Sequence, residues 1–278
     1  MSTQILNIPL GRGMYSPFHL AFKYLRYYLN ASSGEGHGVH SPFVFDFITK
    51  VLNDKRNFYA YEAIEQVRQK LLLNKEKITV EDLGAGSAVH KSRERTIRDI
   101  ARHSAKKPKY GQLLFRIAEH YDCKKILELG TSLGLSTAYL AAADPYAKVI
   151  TLEGAPAIAA VARKNFEALN LFNTELIEGN FDETLAAGLQ QLSSPNLVFF
   201  DGNHRKEPTL RYFHQCLEKV QHNSIFIFDD IHWSSEMEEA WASIQSHTAV
   251  TCSIDLFFAG LVFFRDEFKT PQHFTIRF

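Results

Sequence analysis

KILELGTSLGLSTAYLAAADPYAKVITLEG, residues 125–154, is the stretch that decides the fold of this chain. An apolar run from Ile126 to Leu129 ends at Gly130, and a short turn leads into the good helix formers of residues 138–143. A second β-prone run, Val149 to Leu152, follows. The order predicts a strand, a glycine turn, a helix and a second strand, which together make half of a nucleoside-binding sheet.

The turn carries residue types that suit a bound nucleoside. Gly130 and Gly134 allow positive φ and close approach of a ligand, while Thr131 and Ser132 lie between them near a helix start, where free N–H groups face polar ligands. Glu153 ends the second strand, where a carboxylate can accept both hydroxyls of a ribose. The dinucleotide fingerprint requires glycine at the Ser132 position, so NAD is disfavoured. The alternative is a strand-to-helix turn that binds nothing.

The string ELGTSLG, with its acid at Glu128 and its glycines at Gly130 and Gly134, resembles motif I of the class I S-adenosylmethionine-dependent methyltransferases. It is especially similar to the small-molecule O-methyltransferases of the catechol and caffeoyl-CoA type. The resemblance implies an α/β fold with a Rossmann-like sheet of seven strands, the last antiparallel, and S-adenosylmethionine as cofactor. The cofactor-binding residues that it implies are Glu128, Gly130, Thr131, Ser132, Gly134, Glu153, Asn180, Phe181 and Asp201, with Asn180 and Phe181 at the adenine.

Acidic residues end two further predicted strands. Asp201 follows the run 196–200, and Asp229 and Asp230 follow the run 224–228. Carboxyl ends of neighbouring strands meet at one edge of an α/β sheet, where three carboxylates repel one another unless a cation intervenes, and oxygen ligands suit Mg²⁺. The resemblance agrees, because metal-dependent members of these families, including the antibiotic-sugar type, carry an acid after strand four and Asp-Asp or Asp-Asn after strand five. The alternative is that these acids only orient a loop and a helix start.

His204 stands three residues after Asp201, where the similar families often carry a lysine as general base. An imidazole titrates near neutral pH, and metal coordination acidifies a bound hydroxyl, so His204 can serve as the base. The turn before strand five reads Asn223-Ser224 where those families usually have two glycines. His232 and Trp233 are candidates for the wall of an acceptor pocket, although Trp233 also suits a core position.

These patterns predict methyl transfer from S-adenosylmethionine to a hydroxyl of a small-molecule acceptor. Mg²⁺ on Asp201, Asp229 and Asp230 would acidify the hydroxyl, and His204 and Asp201 would be the catalytic residues. One alternative is a metal-independent N-methyltransferase that uses the acids to bind a cationic substrate. Another is a scaffold protein that binds a nucleoside without chemistry.

The composition bounds the class of protein. The chain has 278 residues, 45% of them hydrophobic, and its Lys plus Arg count of 31 equals its Asp plus Glu count, so nothing global indicates a nucleic-acid partner. Three cysteines without CxxC spacing favour a reducing compartment and no structural zinc. No signal peptide or membrane span is evident, so we expect a cytoplasmic enzyme, with a homodimer as an open option.

The sequence predicts two parts. Residues 1–104 are expected to form a mainly helical N-terminal region, and residues 105–278 are expected to form the methyltransferase domain. Residues 17–30 are rich in aromatic and basic side chains and predict an amphipathic helix that packs on its own domain, on a dimer mate, on another partner or on a membrane. His37 and His40, in a glycine-rich loop, could bind a metal ion or the substrate, but no third ligand is near in sequence.

Two further features lie between this helix and the methyltransferase domain. The string EDLGAGSAVH also resembles a cofactor turn, but a charged segment follows it, so Gly84 and Gly86 are not expected to bind cofactor. Residues 91–109 contain eight Lys or Arg against two acids, which gives a local charge of 8 − 2 = +6. The run is either a solvated face or a lid over an anionic substrate. Near the end of the chain, Ser235 and Glu238 are expected to form a capping box.

Overall fold

The computed structural model of the chain describes residues 15–80, 93–103 and 107–278. The helices are α1 Pro17–Asn30, α2 Pro42–Phe47, α3 Tyr59–Leu73, α4 Ile97–His103, α5 Pro108–His120, α6 Leu135–Ala142, α7 Pro156–Ala168, α8 Phe181–Leu192, α9 Lys206–Leu217 and α10 Ser235–Gln245, and a π-helical turn, Ile48–Leu52, extends α2. The strands are β1 Lys77–Val80, β2 Arg93–Thr96, β3 Lys125–Leu129, β4 Lys148–Glu153, β5 Thr174–Glu178, β6 Leu197–Phe200, β7 Ile225–Asp229, β8 Cys252–Asp255, β9 Ala259–Phe263 and β10 Gln272–Thr275.

The main sheet has eight strands in the order β10-β8-β9-β7-β6-β3-β4-β5. The five strands from β5 to β7 in that row are parallel neighbours, and β9 runs antiparallel to both β7 and β8. This is the Rossmann-like α/β fold predicted from the sequence, with β9 as the antiparallel seventh strand. The sheet also contains β10, which pairs with β8 in parallel and is not predicted by the sequence pattern.

Helices cover both faces of this sheet. One face is buried by α2, α5 and α6, and the other by α8, α9 and α10. The central strands are apolar on both sides, as expected of parallel strands between two helix layers, and β3, β6 and β7 have almost no exposed residues. Because these strands are parallel, the residues that follow them meet at one edge of the sheet.

The N-terminal region packs directly on this sheet. Val44 and Phe47 of α2 are fully buried in the same apolar cluster as Ile126 of β3 and Val149 of β4. α1 spans the predicted 17–30, and its Tyr27 packs with Phe257 from the turn between β8 and β9. The division of the chain at residue 105 stays a prediction.

Several smaller expectations concern regions around the sheet. β1 and β2 form a separate antiparallel hairpin, while the second glycine turn, with Gly84 and Gly86, lies outside the described residues. The capping box at Ser235 is wrong by one residue, because Ser234 is the N-cap and its hydroxyl accepts from the amide of Met237. None of the helices in the described parts of the chain is long and apolar enough to cross a bilayer.

Candidate active site

The turn between β3 and α6 has a backbone that glycine makes possible. Gly130 and Gly134 have φ of 108° and 80°, in the region that residues with a side chain avoid. A Cβ on Gly130 would overlap the carbonyl oxygen of Asp201, so this turn lies directly against the residue that ends β6. Ser132 also has positive φ, at 48°, which turns its amide towards the end of β4.

Glu153 closes the open side of this turn. Its carboxylate accepts from the amide of Ser132 at 2.8 Å and from the amide of Ala155 at 2.9 Å. Burial raises the pKa of Glu153 and the backbone amides oppose that shift, while the nearby charge of Asp201 adds to it. The ribose-binding acid predicted from the sequence therefore lies at the mouth of the turn.

Glu128 lies beneath the turn and is fully buried. Its Oε2 accepts from the hydroxyl of Thr151 at 2.6 Å and from that of Thr137. Burial raises the pKa of Glu128 to about 7; the hydroxyl donors of Ser136, Thr137 and Thr151 oppose this shift. Thr131, also fully buried, shares a 2.6 Å hydrogen bond with Thr151, so it supports the turn from below.

Two buried polar atoms of this turn have no hydrogen-bond partner among the described residues. They are Oγ of Ser132 and Oε1 of Glu128. A buried polar atom without a partner costs about 1–3 kcal/mol, so such atoms commonly mark the place of a ligand or an ordered water. The turn therefore offers unsatisfied polar atoms where the sequence predicts the cofactor.

Asn180 and Phe181 follow β5 at the same edge of the sheet. The side chain of Asn180 caps α8 by accepting from the amide of Asp182 at 3.1 Å. Phe181 stacks edge-on against Tyr212 and fills the space beside Gly202, where a Cβ would approach its ring to 2.6 Å. Both residues lie in the loop where the resemblance places adenine contacts, although the Asn180 side chain is engaged in helix capping.

A second group of ligand-type atoms lies at the ends of β6 and β7. Asp201, His204 and Asp229 each offer one such atom, and these three atoms lie within 4.8 Å of one another. Nε2 of His204 is 3.7 Å from Oδ1 of Asp201. Asp230 does not join this group; it has a φ of 53°, and its amide donates to Phe258. The structure thus brings together two of the three predicted metal ligands and the predicted base.

A charged cluster surrounds His232, three residues after Asp229, and most of it was missed from the sequence. His232 lies between Glu238 and Asp255, with ring nitrogens 3.0 Å and 2.8 Å from their carboxylates. Burial alone would lower the pKa of His232, but its hydrogen bonds to Asp255 and Glu238 raise it above its ordinary value. Lys23 and Tyr15 also bind Glu238, so the cluster ties α1 to the loop after β7. Asp255 ends a strand parallel to β7, and the rule applied to Asp201 could have found it.

Aromatic side chains lie beside these groups. Tyr110, Tyr24 and Phe258 pack near Asp230, and burial, together with Tyr24 and Asp230, raises the pKa of Tyr110 to about 12. Trp233 is 40% exposed, so it does not belong to the core. Tyr24, Tyr110 and Phe258 thus form an aromatic cluster near Asp230, the residue that follows Asp229.

The remaining predicted candidates lie elsewhere. His37 and His40 are exposed, and neither lies in a group of His, Cys, Asp or Glu side chains that could bind a metal ion among the described residues. The basic run 91–109 contributes β2, α4 and the start of α5, and part of it lies outside the described residues. Nothing in its described part tests a role as a lid.

Known proteins match part of this sequence, and solved structures share its fold. Residues 127–231 match a family described as a methyltransferase domain. The chain is 32% identical over 127 residues to a catechol O-methyltransferase of Niastella koreensis, which covers 45% of this chain and 57% of that protein. It is 30% identical over 124 residues to a catechol O-methyltransferase of Mycobacterium tuberculosis, which covers 44% of this chain and 54% of that protein. The chain thus spans about half the length of the curated relatives it matches.

Among solved structures, an O-methyltransferase from Bacillus cereus in complex with S-adenosylhomocysteine has a similar fold, with a TM-score of 0.53 and 19% identity. The match covers 80% of this chain and 97% of that one. The resemblance to the class I S-adenosylmethionine-dependent O-methyltransferases is confirmed, and so is their Rossmann-like fold.

Proposed function

We propose that this chain transfers a methyl group from S-adenosylmethionine to a hydroxyl of a small-molecule acceptor, with the help of a divalent ion. The observation that best supports the proposal is the direct packing of Gly130, in the glycine turn, against the backbone of Asp201, in the acid and histidine group. A donor bound at the turn and an acceptor bound at that group would be immediate neighbours. Holding two bound reactants close together in the right orientation lowers the activation barrier of a group transfer.

The proposed donor site consists of the glycine turn and Glu153. A ribose would replace the backbone amides of Ser132 and Ala155 as the partner of the Glu153 carboxylate, and the two unpartnered atoms below would gain polar contacts. Three acids lie close together at this place, and the charge of Asp201 adds to the raised pKa of both Glu128 and Glu153. A donor that carries a sulfonium and an ammonium group would relieve that repulsion.

The acid and histidine group fits a divalent ion by its donor chemistry. Asp201 and Asp229 supply carboxylate oxygens, and Asp230, one residue further on, is the third predicted ligand. When bound, the ion would act as a Lewis acid that lowers the pKa of an acceptor hydroxyl. His204 is close enough to serve as the predicted base or as a ligand itself, and metal binding distinguishes these roles.

The reaction requires few groups beyond these. The acceptor oxygen forms a bond to the methyl carbon while the carbon–sulfur bond breaks, which yields a methyl ether and S-adenosylhomocysteine, and the hydroxyl proton leaves to a base or to water. The chain's contribution is to align the two reactants. The aromatic neighbours Tyr24, Tyr110, Phe258 and Trp233 would form the wall of the acceptor site.

Calorimetric titration of S-adenosylhomocysteine into the protein tests the donor site. We expect binding that falls at least about tenfold in Glu153→Ala, because each ribose hydrogen bond to a carboxylate is worth about 1.5–3 kcal/mol. The matched control is Glu175→Ala, which removes an exposed acid on β5 whose carboxylate contacts Gln191 and Lys148. No binding to the unchanged protein would refute the methyltransferase proposal.

Turnover then separates the remaining alternatives. Hydroxylated small molecules, including catechols, would be methylated by the metal-loaded protein and not by metal-free protein in excess EDTA. Methylation of amines that persists in EDTA would support the metal-independent N-methyltransferase. Donor binding without methylation of any acceptor would support the scaffold protein. Residues 105–278 as the catalytic domain, the helical region before it as part of the acceptor site, and a cytoplasmic location belong to the same proposal.

A further inference from the structure

His204 is placed like a ligand of the ion. One ring nitrogen of His204 and one oxygen each of Asp201 and Asp229 lie within 4.8 Å of one another, whereas Asp230 stands outside the group. Ligand bonds of about 2.1 Å place neighbouring ligand atoms roughly 3–3.5 Å apart. The 3.7 Å between Nε2 of His204 and Oδ1 of Asp201 is therefore near the spacing that a shared ion would impose.

The loop after β6 holds His204 in this position. Asn203 has a φ of 51°, a left-handed conformation that asparagine tolerates better than most residues, and it reverses the chain so that His204 faces back towards Asp201. The amide of Arg205 donates to the carbonyl of Asn203, and the Asn203 side chain lies 3.4 Å from the hydroxyl of Tyr212. His204 is about a third exposed, at 30%, so its position depends on the loop and not on burial.

The chemistry of the donor set then decides which ion fits. Mg²⁺ prefers oxygen ligands only and keeps several waters, whereas Fe²⁺, Co²⁺, Ni²⁺ and Zn²⁺ accept imidazole nitrogen readily. A ring nitrogen bonded to an ion has no lone pair left for a proton. Coordination through Nε2 therefore excludes the role of that nitrogen as a general base.

We propose that His204 coordinates the ion of this site through Nε2, together with Asp201 and Asp229, and that the site therefore selects a first-row transition metal over Mg²⁺. This inference rests on the proposed metal-assisted function and specifies its metal. His204 is then a metal ligand, and the hydroxyl proton of the acceptor leaves to solvent or to another group.

Metal binding to the metal-free full chain tests this inference without any assay of activity. Co²⁺ and Mg²⁺ are titrated calorimetrically into the unchanged protein, into His204→Ala and into the control His222→Ala, an exposed histidine in the loop before β7. We expect His204→Ala to lose at least about tenfold in Co²⁺ affinity and to keep its Mg²⁺ affinity within about twofold, since only the nitrogen ligand is removed. His222→Ala should bind both ions like the unchanged protein.

Proton NMR of the Co²⁺-loaded protein gives a direct view of the ligand. Coordinated imidazole shows an exchangeable, strongly shifted Nδ1–H signal, which we expect in the unchanged protein and in His222→Ala and not in His204→Ala. Binding of S-adenosylhomocysteine by each variant serves as the check that it is folded.

Three outcomes would overturn the inference. Equal loss of Co²⁺ and Mg²⁺ affinity in His204→Ala would assign His204 a structural role at the site. Co²⁺ binding without the shifted signal would return His204 to the role of base and leave the methyltransferase proposal intact. Failure of the unchanged protein to bind either ion, with donor binding preserved, would refute both this inference and the metal-assisted step.

Discussion

Single residues of the turn after β3 combine features that would be costly without a ligand-binding purpose. Gly130 touches the backbone of Asp201, Ser132 has positive φ, and Glu128 is buried with one oxygen unpartnered. The sequence predicted the glycines and the acids, because their spacing is local. It did not predict that Asp230 would stand outside the group of Asp201, since that depends on the positive φ of Asp230 and on its backbone contact with Phe258, which lies far along the chain.

Replacing Gly130 by alanine tests the contact between the glycine turn after β3 and the backbone of Asp201. We expect Gly130→Ala to lower the free energy of unfolding by about 2–4 kcal/mol, because the strain of a positive φ and the clash of the new Cβ with the Asp201 carbonyl oxygen both destabilise the folded state. Urea denaturation measures the loss. Gly38→Ala is the control, since Gly38 has a φ of 79° but open space around its Cβ position, so it should cost only about 1 kcal/mol. Equal losses at both positions would show that the contact contributes nothing.

Glu128 makes the stability of the ligand-free protein depend on pH. Its pKa is about 7 in the folded chain against 4.5 for the ordinary group, so the folded state holds the extra proton between these values. Stability contributed by the neutral form is therefore present below pH 4.5 and is lost as pH rises through 7. Glu128→Gln, which stays neutral, should remove this decline, which amounts to a few kcal/mol at most.

Denaturation at pH 5 and pH 8 measures the decline in both proteins. The expected result is a smaller difference between the two pH values for Glu128→Gln than for the unchanged chain. Glu175→Gln, at an exposed position, is the control for a lost surface charge. An unchanged pH dependence in Glu128→Gln would contradict the assignment of this titration to Glu128.

Among the elements, α1 shows most clearly what local patterns can and cannot predict. Its bounds followed from the aromatic and basic pattern of residues 17–30, because periodicity is a local signal, and the structure adds Ser16 as its N-cap. Its contacts did not follow, since Lys23 meets Glu238 across more than two hundred residues. The capping box failed for a local reason, because the N-cap of α10 is Ser234 and Glu238 is one residue too far along the helix to close the box.

The cluster around Glu238 should control how firmly α1 is held. Glu238→Gln removes the charge that Lys23 and His232 share, so we expect a loss of about 1–3 kcal/mol and faster hydrogen exchange in α1. Mass spectrometry of exchanged peptides measures the effect helix by helix. Lys50→Met, which breaks an exposed pair with Asp46, is the control and should leave exchange in α1 unchanged. Unaltered exchange in Glu238→Gln would mean that aromatic packing alone fixes the helix.

At the scale of the whole molecule, the alternation of β-prone and helical runs predicted an α/β sheet, whereas the antiparallel seventh strand was implied only by the family resemblance. The strand β10 was not predictable, since its QHFT sequence is short and half polar. Its pairing depends on residues from the other end of the chain. The amide of Ser32 donates to Thr275, the amide of Arg277 donates to Ser32, and the Tyr27 hydroxyl donates to the Ile276 carbonyl.

This arrangement has a consequence for solubility. Without β10, the fully buried strand β8 would present a row of unpaired amides and carbonyls at the sheet margin, a template for pairing with other molecules. A chain that ends at residue 271 should therefore self-associate into β-rich particles, visible in light scattering as a rising molar mass. The control is Phe274→Lys in the full chain, which changes a side chain of β10 but keeps its backbone pairing with β8. This variant should scatter far less light than the chain that ends at residue 271. The strand β10 would then protect the chain from aggregation by covering the edge of β8, and the backbone hydrogen bonds of Ser32 would hold β10 in place.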